Sequence, residues 1–126
     1  MIITIKVFAA IYGMLAVIFG AFGAHALKKI FTDEQLKNFE TGVKYQMYHA
    51  IVLLVLGFNF NFATTQEIVM GYAFIIGIFL FSFSIYGLCI SSAKGKKMKF
   101  LGPITPLGGL GLVLGWALLL LNFLDL

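Results

Sequence analysis

A chain of 126 residues that is 61% hydrophobic and 11% charged lacks the polar cover a small soluble globule needs. Ordinary soluble domains are about 45–50% apolar and about 25% charged. Nine lysines without arginine, five acids (net charge +4) and one cysteine, Cys89, exclude a disordered chain, a coiled coil and a cystine-built secreted domain, so lipid is the expected solvent.

Four stretches, 7–27, 45–66, 68–93 and 100–124, carry no formal charge. Each exceeds the about 20 residues that a helix needs to cross a hydrocarbon core. Runs such as IVLLVLGF do not alternate as barrel strands do, and in lipid a continuous apolar run satisfies its backbone only as a helix. The sequence predicts an all-α integral membrane protein, one domain over 1–126. Its expected form is an antiparallel bundle of four transmembrane helices at roughly 6–26, 45–63, 68–91 and 104–124.

In the first stretch Ala24-His25-Ala26 matches a signal-peptidase site, but Lys28 and Lys29 follow at once. Positive charge there resists translocation, so a retained span is expected. Next, Thr32-Asp33-Glu34-Gln35 has the pattern of a capping box. Leu36, Phe39, Val43 and Met47 then recur on one face, away from Lys37, Glu40 and Lys44. An interfacial amphipathic helix is expected between helices 1 and 2, running into the second span. The short link 59–67 makes helices 2 and 3 antiparallel neighbours. Before the fourth span, Gly102-Pro103-Ile104-Thr105-Pro106 marks a turn and a helix start.

Eight of the nine lysines fall in the connections after helices 1 and 3. The positive-inside rule puts those connections in the cytoplasm and both termini outside, in a cell membrane. The same lysines also suit anionic lipid heads, although the acids interleaved with the first four favour the topological reading.

Small residues recur at helical spacing: Ala16, Gly20 and Ala24 in helix 1, Ala73 and Gly77 in helix 3, and Gly108, Gly111 and Gly115 in helix 4. Such stripes let backbones approach closely. They serve the bundle itself, a homo-oligomer or a larger membrane partner, and the sequence leaves these open.

Enzyme signatures fail on inspection. Around Gly95-Lys96 a P-loop would need glycine at Ile90 and a hydroxyl at Lys97; after Gly109 and Gly111, Leu114 stands where a third dinucleotide glycine belongs. CxxC, HExxH and GxSxG are absent. No catalytic residue, cofactor or nucleic-acid partner is assigned, and the expectation is a protein that is not an enzyme. What remains is a set of intramembrane polar residues. His25, His49 and Cys89 each lie within about 8 Å of a lysine boundary, at 1.5 Å per residue. Tyr45 sits one turn before His49, and Ser84, Tyr86 and Ser91 add hydroxyls. These residues read either as a small-molecule, lipid, proton or metal site, or as hydrogen bonds locking helices together. No metal is assigned, because a structural zinc takes four ligands and only three are in view. No carboxylate lies inside a span, which argues against a proton-coupled carrier.

The strings GAFGAHALKK (20–29), TGVKYQMYHA (41–50), FSFSIYGL (81–88) and LGPITPLGGLGLVLGW (101–116) resemble the YgdD/YwdK-like small membrane proteins. These form domain-of-unknown-function family 423, to which the eukaryotic transmembrane protein 256 is related. The resemblance implies a four-helix plasma- or inner-membrane protein without assigned catalysis. It carries motif positions onto Gly20, Gly23, His25, Gly42, Tyr45, Gln46, His49, Ser82, Ser84, Tyr86, Thr105, Pro106, Gly108, Gly109 and Trp116. Phe83 stands where the family pattern has glycine. The candidate cluster is then His25, Tyr45, Gln46, His49, Ser84, Tyr86 and Cys89. The expected role is packing, scaffolding or accessory, with ligand binding or transport through that cluster as the alternative.

Overall fold

A computed structural model describes residues 1–126, all helix and connecting turns. The helices are α1 (Ile2–Ala24), α2 (Asp33–Asn59), α3 (Thr65–Ile78), α4 (Ser84–Ala93) and α5 (Ile104–Phe123). A π-helical turn, Phe79–Phe83, joins α3 to α4 without a break, so the chain forms four rods. Three stretches are long and apolar enough to cross a membrane: Ile2–Lys29, Thr65–Ala93 and Lys99–Phe123. The rod α2 is not among them, because Lys44, Gln46 and His49 dilute its middle.

The start of α2 follows its sequence closely. Thr32 Oγ1 accepts from the Gln35 backbone N–H (3.1 Å), and Gln35 Oε1 accepts from that of Thr32 (3.0 Å). Two otherwise orphaned donors are thus satisfied. No separate interfacial helix exists between helices 1 and 2, however. Residues 33–44 and the expected second span form one continuous helix, since nothing near Lys44 breaks the i→i−4 ladder. That rod also ends at Asn59 rather than 63. Phe60 is extended (φ −121°) and Phe62 is left-handed (φ 54°). A phenylalanine rarely adopts that conformation; here it buries the ring, which is 4% exposed, against α3 at Gly71.

Side-chain contacts fix an antiparallel order. At one end Lys6 Nζ lies 4.1 Å over the Phe58 ring, Ile5 and Met1 reach Gly71, and Gln66 Nε2 donates to the Leu118 carbonyl. At the other, Phe39 packs beside Gly23, Gln35 Nε2 donates to Ser92 Oγ (3.2 Å), and Ser84 meets Thr105. The lysine-bearing connections therefore share one end of the bundle. Ile5, Leu53, Met70, Phe74 and Ile78 fill the interior and are almost fully buried. Outside, large apolar side chains such as Val17, Phe58, Val113 and Phe123 are exposed. Water disfavours such a surface and lipid suits it.

The small-residue stripes are used within the chain. A Cβ on Gly111 would touch Gly77 Cα at 3.3 Å, and one on Gly77 would meet the Leu112 backbone nitrogen at 2.9 Å. A Cβ on Gly108 would overlap the backbone of Leu80 and Phe81, while one on Gly115 would strike the Phe74 ring. In α1, Ala16 is buried and Gly20 faces Val43. Ala24 departs from the expected stripe: it is exposed, and Gly23 takes its place against Phe39. A strict four-residue spacing drifts off a 3.6-residue helix face, which favours the residue three positions on.

A buried polar seam as the candidate functional site

The polar interior centres on α2. Gln46 is fully buried. Its Nε2 donates to the Tyr12 carbonyl of α1 (2.8 Å), and its Oε1 accepts from the Tyr86 hydroxyl of α4 (2.6 Å). One amide side chain, having a donor end and an acceptor end, thereby ties three helices. Around it, Tyr12 Oη donates to the Ile75 carbonyl (2.8 Å) and Ser82 Oγ to the Gly42 carbonyl (2.7 Å). Gly42 must lack a side chain here, because a Cβ would lie 2.8 Å from the Tyr86 ring. Phe83, at the position where the family pattern has glycine, packs edge-on to Tyr12 and Phe19 of α1.

His49 occupies a second position on the seam. Its Nδ1 lies 2.7 Å from the Tyr45 carbonyl, and its Nε2 lies 3.1 Å from Trp116 Nε1. A carbonyl only accepts, so Nδ1 carries the hydrogen; the indole N–H only donates, so Nε2 accepts. The two bonds select the neutral Nδ1–H tautomer and occupy both ring nitrogens. Tyr45 stacks beside the imidazole and contacts Phe81 at 5.0 Å between centroids, with its own ring partly exposed.

The other candidates lie apart from these two positions. Ser84 Oγ donates to the Phe81 carbonyl (2.9 Å) or shares its hydrogen with Thr105 Oγ1 (2.5 Å). Cys89 Sγ donates to the Gln35 carbonyl (3.4 Å) beside Phe31, Phe39 and Tyr86. His25 is exposed just beyond the last residue of α1 and does not join His49. Similar depth along the bundle normal did not bring the imidazoles together, since azimuth around each helix also decides contact. Tyr12 was missed from sequence because one hydroxyl in a long apolar run gives no local signal. Trp116 and Ser82 were carried only by the family resemblance. Every buried side-chain nitrogen and oxygen has a hydrogen-bond partner within the chain.

Apolar rods with lipid-suited exteriors and a polar seam closed on itself define an integral helical membrane protein. The family model described as "Protein of unknown function (DUF423)" matches residues 19–109. The UPF0382 membrane protein YwdK of Bacillus subtilis is 38% identical over 119 residues, covering 90% of this chain and 89% of its own length. The UPF0382 membrane protein SAB0533 of Staphylococcus aureus is 36% identical, covering 91% and 90% respectively. The UPF0382 membrane protein C1782.12c of Schizosaccharomyces pombe is also 36% identical, covering 89% and 94%. The chain belongs to this DUF423 family. No solved structure matches it.

Proposed function

We propose that this chain is a non-enzymatic structural or accessory protein of a cell membrane, with all four rods crossing the bilayer and its lysine-rich end in the cytoplasm. The observation that carries the reading is the closed seam. Gln46, Tyr86, Tyr12, Ser82 and His49 all bond to groups of the same chain. A fully satisfied buried network rigidifies a fold. It leaves neither a nucleophile beside a base nor an imidazole nitrogen free for a ligand. The rod α2, short of apolar residues by itself, crosses because the other three enclose its polar face. On this reading, association with a second copy or a larger membrane protein uses the outer apolar faces, because the glycine stripes are taken up internally. Purification in mild detergent with mass measurement tests it: a stable oligomer or a stoichiometric membrane partner supports the role, and a lone monomer counts against it. Reporter fusions at 28–32 and 94–99 should give cytoplasmic signals, with both termini outside.

A further inference from the structure

Between the first turns of α2 and the α4–α5 corner lies an open cleft of about 390 Å³. Its apolar wall includes Ile85 and Leu88, and its polar wall includes Asn38, Thr41 and Thr105. It runs on through Asn38, Leu88 and Cys89 into an adjoining hollow of about 290 Å³ rimmed by Lys97. The lysine loop is held beside this cleft by its own backbone. Lys96 N donates to the Ser91 carbonyl and Met98 N to Ser91 Oγ, both at 3.1 Å. Residues 94–99 hold four lysines and no acid, and all four are exposed.

We infer that this cleft seats the headgroup and glycerol of an anionic phospholipid. The occupant must be amphiphilic, because hydroxyl and amide groups face apolar side chains across one opening. It must also be anionic, because the lysine-rich end carries eight lysines against Asp33, Glu34 and Glu40. Ammonium groups and hydroxyl donors form charge-assisted hydrogen bonds to phosphate oxygens. A lipid suits the position, where apolar rods give way to charged turns, with its acyl chains running down the exposed flank of the bundle. Glu34 lines the adjoining hollow and opposes the lysines there. The inference depends on the bilayer placement proposed above and is independent of any protein partner.

Native mass spectrometry of the full chain released from detergent tests it, with palmitoyl-oleoyl phosphatidylglycerol or phosphatidylcholine added. Phosphatidylglycerol should be retained at least roughly fivefold over phosphatidylcholine. Two variants should each lower that retention several-fold: K96Q/K97Q/K99Q on the exposed loop, and Asn38→Leu with Thr41→Val in the cleft. Glu34→Gln should raise it. Equal retention of both lipids, or unchanged retention in both variants, overturns the inference. So does displacement by excess inorganic phosphate, which would reassign the cleft to a free anion. The same spectra report subunit number separately, so a monomer that keeps phosphatidylglycerol sinks the partner reading while sustaining this one.

Discussion

The contact between α3 and α5 and the contact that α2 makes with its neighbours bring rods together by opposite chemistry. Between α3 and α5, Gly77, Gly108 and Gly111 remove side chains so that backbone meets backbone. Around α2, bulky polar groups reach across, with Gln46 bridging Tyr12 and Tyr86. Lipid supplies no hydrophobic drive between helices, so both solutions rest on what lipid cannot replace: close dispersion contact in one, satisfied hydrogen bonds in the other. They should also fail differently. A shape-based contact tolerates no added atom, whereas a bonded one tolerates a change of size provided that no polar group is stranded.

The largest expected effect breaks the first contact. Gly108→Ala should destabilise the bundle by about 3 kcal/mol, because the new methyl meets backbone that cannot rotate away. Unfolding by a denaturing detergent in mixed micelles measures it, and a loss as small as that of an exposed substitution would show that α5 is not held as described. The second test strands a donor. Gln46→Leu leaves the buried Tyr86 hydroxyl without its acceptor and should cost about 2 kcal/mol. Adding Tyr86→Phe should recover much of that loss, and strictly additive losses in the double-mutant cycle would deny the bond. Smaller still, Trp116→Phe removes the donor to His49 Nε2 at a partly exposed site and should cost about 1 kcal/mol. Metal content before and after His49→Ala offers a separate check, because bound metal that disappears with the imidazole would contradict the two-bond tautomer. At the bottom of the scale, His25→Ala should stay within about 0.5 kcal/mol of the parent, since the side chain is exposed.

Much of the architecture was readable from charge-free runs and cap chemistry. Those signals are local: the Thr32–Gln35 box and the Lys28–Lys29 stop depend on neighbours in sequence. The reading failed where three-dimensional neighbours decide. Residues 33–44 look amphipathic because they bury Phe39 and Gly42 against α1 and α4, not because they lie flat on a membrane. Of the candidate cluster, Gln46 and Tyr86 meet, Tyr45 and His49 stack, and His25 stays outside. Tyr12 and Trp116, which complete two of the bonds, sit on α1 and α5, and no spacing within one helix can reveal a partner on another.

The π-helical turn at Phe79–Phe83 sets the phase of everything after it. An α-helix advances about 100° per residue, so the wider turn lets Gly77 face α5 while Tyr86 faces α2 along one unbroken rod. Deleting a single residue there would restore regular pitch and swing the downstream half by nearly a third of a revolution. Tyr86 would leave Gln46, and Ser84 would leave Thr105. Chain length through this stretch is thus itself a coded quantity, and relatives that keep both contacts should keep the count.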